Sequence, residues 1–98
     1  MGNPVELGHT ASTSFVDLTV DAKYRYLYVF GKTSTNVLEP MLVPVSIAKS
    51  LPNIGFSTQY DLGGNNVVSA VKYISGNAFQ MASTGGGVGV VTYVYGIE

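Results

Sequence analysis

The stretch KYRYLYVF, Lys23 to Phe30, sets Tyr24, Tyr26, Tyr28 and Phe30 in one row and Lys23, Arg25, Leu27 and Val29 in the other. Side chains that alternate between two faces with period two belong to a β-strand, and aromatic and β-branched residues favour it. A helix would scatter either row around its circumference. The same period recurs in FVDLTV, where Val16, Leu18 and Val20 share one face and Phe15, Asp17 and Thr19 the other. Further strands are predicted over Met41–Ile47, Phe56–Leu62, Val67–Ile74, Ala78–Ala82 and Val88–Ile97, the last being the longest and most β-prone.

Turn chemistry separates these segments. Asp21-Ala22, Gly31 to Asn36, Pro52-Asn53, Gly63 to Asn66, Gly76-Asn77 and Gly85 to Gly87 carry residues that accept positive φ or preset a turn. Gly76-Asn77, between Tyr73-Ile74 and Phe79, is the best two-residue hairpin signal. About six to eight strands at spacings of roughly ten residues, with no sustained helical pattern, predict an all-β chain: an antiparallel, jelly-roll-like β-sandwich. The one helix candidate, Val45 to Leu51, lies between Pro44 and Pro52, and the same segment reads equally as an edge strand. Pro44 lacks an amide donor, which places it on a sheet edge or at a bulge. Residues 1–98 form one domain, with residues 1–13 open to reading as an extended N-terminal arm.

Charge narrows the range of partners. Charged residues make up 11% of the chain, against roughly a quarter in an ordinary soluble domain. The net charge is −1, with no basic run, so nucleic-acid binding has no electrostatic footprint. A 46% hydrophobic, nearly uncharged chain favours association, so part of its apolar surface is expected to be buried against partner subunits. No window approaches the ~18 apolar residues of a bilayer-spanning helix, and no membrane insertion is expected. The opening MGNPVELGHT lacks a signal-peptide pattern, and Glu6 stands where a myristoylation motif needs Ser or Thr.

Each chemical motif meets a specific obstacle. The glycines of STGGGVGVV lead to Val88, Gly89 and Val90 with no Gly-Lys-Ser/Thr, and a β-prone run follows where a phosphate-binding helix would have to open. They read as a hairpin loop or bulge. His9 is the only histidine; the chain has no cysteine and no Gly-x-Ser-x-Gly elbow. One histidine cannot build a zinc site within one chain, although three copies around an axis would bring three together. DLGGNN, Asp61 to Asn66, starts like a calcium loop, but the twelfth position is Lys72 rather than Glu, so a turn capped by Asp61 and Asn65 is expected. The acidic residues Glu6, Asp17, Asp21, Glu39, Asp61 and Glu98 include no pair in an apolar setting. No catalytic residue, metal or cofactor is expected, and the chain does not read as an enzyme.

Seven tyrosines are the most distinctive feature. The row Tyr24, Tyr26, Tyr28, and the smaller set Tyr93, Tyr95 and Ile97 on the final strand, are the candidate interface or ligand-platform residues. Tyrosine joins a flat apolar body to a hydroxyl, which suits subunit anchoring, cross-strand packing or stacking on sugar rings. The sequence leaves these three open.

The ending VTYVYGIE, through Val94, Tyr95, Gly96 and Ile97, resembles the C-terminal strand of bacteriophage tail-fibre and tailspike tip domains. LYVFG, Leu27 to Gly31, and YISGNAF, Tyr73 to Phe79, are similar to a strand and to the penultimate hairpin of such domains. The chain departs from the commoner basic last residue by ending in Glu98, and no shaft repeat precedes the domain, which leaves room for a capsid decoration or cement protein. The resemblance implies a virion structural protein on the particle surface. It also implies a homotrimer, contacts with other virion proteins, and adhesion to a host surface glycan or receptor. The alternative from the residues alone is a carbohydrate-binding module with the tyrosine row as its platform.

Overall fold

The computed structural model describes residues 2–85 and 89–98. Within them lie β1 (Val5–Thr10), β2 (Val16–Thr19), β3 (Tyr26–Lys32), β4 (Val37–Pro44), α1 (Val45–Lys49), β5 (Phe56–Leu62), β6 (Asn65–Ser75), β7 (Ala78–Thr84) and β8 (Val91–Ile97). They form two four-stranded sheets: sheet A in the order β1-β8-β3-β4 and sheet B in the order β2-β7-β6-β5. Every neighbouring pair is antiparallel. The first two strands lie against the last two, β1 on β8 and β2 on β7, so the chain ends wrap both sheets in a jelly-roll-like manner. The all-β antiparallel sandwich expected from the alternation is the fold observed.

The inner rows follow the period-two pattern. Leu27 and Val29 of β3, Val43 of β4 and Val94 of β8 face Leu18, Val71, Phe79 and Met81 of sheet B in one buried cluster. Phe79 is fully buried and meets the Tyr73 ring edge-on at 5.1 Å. Truncating a side chain in this cluster to alanine costs about 2–5 kcal/mol. A smaller cluster of Leu38, Val67 and Val90 closes the sandwich near the β7–β8 connection. Between the sheets near this cluster lies a buried polar tie. The Thr92 hydroxyl donates to Ser69 Oγ across the sheets at 2.8 Å, and the Ser83 hydroxyl donates to the Val90 carbonyl at 3.0 Å. These bonds satisfy groups that would be costly to bury alone.

The turns behave as their residues dictate. Gly76-Asn77 joins Ser75 to its partner Ala78 as a two-residue loop, with Gly76 at φ 54°. Gly63 and Gly64, both at positive φ, join Leu62 to Asn65, which suits the right-handed strand twist. Asp61 accepts the Gly64 N–H at 3.0 Å and the Asn65 amide donates to the Leu62 carbonyl at 3.3 Å, the capped turn predicted there.

Three expectations need correction. Residues 1–13 are not simply an arm, because Val5–Thr10 is the edge strand of sheet A. Its alternation is concealed by a bulge between Glu6 and Gly8. The strand expected over Met41–Ile47 ends at Pro44, and Val45–Lys49 is a single short helix that buries Val45 and Ala48. Pro44 does close an edge strand, where its missing donor leaves no ladder bond unmade in the sheet interior. The last strand begins at Val91, with Gly89 and Val90 outside it, and at seven residues it is shorter than the eleven of β6; Gly86, Gly87 and Val88 lie outside the described residues.

The first tyrosine of the expected row is also displaced. Tyr24 precedes β3 in a turn closed by its N–H to the Asp21 carbonyl at 3.1 Å. That turn carries its ring inward, where it is only 7% exposed, whereas Tyr26 and Tyr28 stay on the outer face. Tyr24 covers Gly96, and a Cβ at residue 96 would lie 2.7 Å from the ring. Gly96 is therefore the seat of an aromatic side chain from the neighbouring turn.

Candidate functional site

The outer face of sheet A carries the remaining aromatic residues, ordered by strand register. At one level, His9 of β1, Tyr93 of β8 and Phe30 of β3 stand side by side. At the next, Glu6, Tyr95, Tyr28 and Leu42 run across all four strands. A third level holds Ile97, Tyr26 and Pro44. Cross-strand neighbours are the pairs through which a sheet face gains its packing energy.

The rings lean on one another. Phe30 lies parallel to Tyr93, with centroids 5.6 Å apart and 7° between planes, and to Tyr95 at 5.8 Å and 20°. Tyr28 tilts against Phe30 at 5.8 Å, and His9 stacks on Tyr93 at 5.1 Å. These separations belong to offset-stacked and tilted aromatic pairs. The stacked faces are turned toward each other, leaving much of the outward contact to ring edges and hydroxyl tips.

Charge on this face is sparse. His9 Nδ1 lies 3.1 Å from a Glu6 carboxylate oxygen, in an exposed pair that contributes little to stability. Lys32, at the end of β3, stands beside Val37 and Val91. Tyr28 is 38% exposed and its register partner Leu42 is 52% exposed, so an aromatic and an aliphatic side chain form the open end of the row, toward the β4 edge. Tyr26, Tyr93 and Tyr95 are half-buried.

Of the six candidate residues, the structure brings Tyr26, Tyr28, Tyr93 and Tyr95 together on one face. Tyr24 belongs to the core, and Ile97, in the same row as Tyr93 and Tyr95, is covered to 8% exposure and offers little surface to a partner. Sequence reasoning overlooked Leu42, His9 and Glu6 as members of the face. Leu42 had a signal, because alternation sets it opposite Met41 and Val43. His9 and Glu6 had none, since the bulge in β1 hides the side on which they fall.

Among the described residues, no group of three or more His, Cys, Asp or Glu side chains is placed to hold a metal ion. No helix among them is long and apolar enough to cross a membrane. The arrangement offers adhesion: apolar area, aromatic edges and a few hydroxyls on a rigid sheet. Comparison with protein-family models, with curated proteins and with solved structures gives no match. The class defined by the fold is an all-β sandwich of two antiparallel sheets.

Proposed function

We propose that this chain is a structural protein that self-associates through the outer face of sheet A. Its setting is the one implied by the resemblance of its last strand, the surface of a phage virion, as a fibre tip or a capsid decoration protein. The observation that supports this reading most is the four-strand row Glu6–Tyr95–Tyr28–Leu42, with the exposed pair Tyr28 and Leu42 at its open end. Tyrosine-rich, charge-poor centres are where protein interfaces concentrate their binding energy.

A second copy of the chain fits this face better than a sugar does. A sugar ring stacks on an aromatic face that lies open and flat. Here Phe30 is stacked against Tyr93 and Tyr95, and Tyr24 has left the row for the core. Glu6 and His9 supply neighbouring acidic and basic groups that a symmetric partner can match. The tail resemblance implies three copies around an axis.

Mass photometry and sedimentation measure the order of assembly directly. The intact chain is expected to run as an oligomer at micromolar concentration. The double variant Tyr28→Asp, Leu42→Glu should run as a folded monomer, because each introduced charge would be buried unpaired in the contact. An intact chain that stays monomeric, or a double variant that still assembles, would remove the basis of the proposal.

A further inference from the structure

A second feature lies at the opposite end of the sandwich from the β7–β8 connection. A cavity of about 340 Å³ opens where the β2–β3 turn, the start of β3 and the β4–α1 junction meet. Arg25 and Lys49 stand in its lining with Tyr26, Pro44 and Ser46. Small-molecule sites begin at about 300 Å³, so one ring with a substituent fits the space.

Two of the chain's five Lys and Arg residues line this cavity, in a protein that is otherwise almost uncharged. Lys23 stands close by, its Nζ 5.2 Å from the centre of the Tyr24 ring. Among the described residues, no carboxylate lies within ion-pairing distance of Arg25 or Lys49; Lys49 Nζ lies 5.9 Å from the centre of the Tyr73 ring, a contact with which a bound anion would compete. The nearest acid along the chain, Asp21, accepts the Lys23 backbone N–H at 2.9 Å. Glu98, at the end of the adjoining strand, has its side chain beside Gly2.

Arg25 is also held in place. Its N–H donates to the Ile97 carbonyl at 2.8 Å, and its own carbonyl accepts the Val45 N–H at 2.9 Å. The last strand and the helix thus fix the backbone from which the guanidinium projects. A fixed base reduces the ordering cost of binding.

We propose that this cavity binds a small carboxylate carried on a six-membered ring. Arg25 takes the carboxylate in its planar fork, Lys49 supplies the second positive charge, and Tyr26 and Pro44 cover the ring. An inorganic anion would leave those two walls unused, and a neutral ring would leave both cations without a counter-ion. The cavity shares Tyr26 and Pro44 with the edge of the sheet A face, but Tyr28 and Leu42, on which self-association turns, do not line it, so Arg25→Gln and the Tyr28→Asp, Leu42→Glu variant test the two proposals separately.

The test is a titration of the isotope-labelled full chain, followed by amide chemical shifts, with glucuronate, glucose, benzoate, benzyl alcohol and inorganic phosphate. At least one of the two acids should shift the amides of Arg25, Tyr26 and Ser46 saturably, with a Kd on the order of 1 mM. Which acid does so distinguishes a sugar ring from an aromatic one. Arg25→Gln should weaken that binding about tenfold. Lys32→Gln, which removes a cation at the other end of β3, should leave it unchanged, with both variants folded by far-UV circular dichroism. Equal shifts from an acid and its neutral counterpart would overturn the proposal. So would phosphate binding as tightly as the acids, silence from both acids, or an Arg25→Gln variant that binds normally.

Discussion

The two sheets share one kind of inner face and have opposite outer faces. On sheet A, aromatic and aliphatic side chains continue outside, with Phe30 stacked between Tyr93 and Tyr95 and with Tyr28 and Leu42 open. On sheet B, the outward positions mix Asp17, Thr19, Gln80 and Lys72 with Phe15, Val68 and the buried Ala70 and Ala82. There the Gln80 amide donates to the Asp17 carboxylate at 3.3 Å, and Lys72 Nζ lies 4.2 Å from the centre of the Phe15 ring. Sheet B carries its charged and amide side chains on this outer face and so comes nearer to the one-sided pattern of an antiparallel sheet facing water. Sheet A is apolar on both sides, the composition of a sheet that expects a further layer. Strand propensity alone would treat the two alike; only the second face separates a wall from a contact surface.

Several substitutions test that contrast. The largest effect is expected beneath sheet A, at Gly96→Ala, where the new methyl would strike the Tyr24 ring, which is itself wedged in the core. The loss should be about 3 kcal/mol in chemical denaturation; a neutral outcome would mean that Tyr24 is free to leave its seat. Next is Phe30→Ala, which removes the ring that Tyr28, Tyr93 and Tyr95 share. It should lower stability by about 2 kcal/mol and weaken self-association as well, the two being separable by repeating the melt at several concentrations. The smallest effect belongs to sheet B. Gln80→Ala should change stability by no more than about 0.5 kcal/mol and leave the oligomer intact. A large assembly defect from Gln80→Ala would reverse the assignment of the two faces.

Much of the architecture was legible because its cause is local. Phe56–Leu62 is a strand over the span its pattern predicts, and the Gly63-Gly64 and Gly76-Asn77 turns sit where positive φ is needed. In FVDLTV, Leu18 and Val20 are buried and Asp17 and Thr19 exposed, because polar residues mark the wet side. Val5–Thr10 was not legible: a bulge breaks its period, and Gly8 is there because Leu18 lies 3.0 Å from where a Cβ would be. Glu39 was equally silent. It adopts φ 36° at a bulge opposite Phe30, and its carbonyl accepts the Thr58 hydroxyl from the other sheet at 2.6 Å. Contacts made across the sandwich leave no trace in the spacing of neighbours along the chain.

The order of residues by itself determined that this chain pleats, where most of its turns fall, and that it carries too little charge to keep every face wet. Which row of KYRYLYVF points inward was left to the tertiary structure, since both rows are largely apolar at Leu27 to Phe30. Packing two sheets at about 10 Å selects Leu27 and Val29 for the narrow interior and sends Tyr26, Tyr28 and Phe30 outward. Tyr24 goes the other way because a turn at Asp21 reverses its direction and Gly96 leaves room for its ring. Likewise, the placing of Arg25 and Lys49 on one cavity depends on the last strand and the helix closing on the same turn, a coincidence in space that no period along the chain encodes.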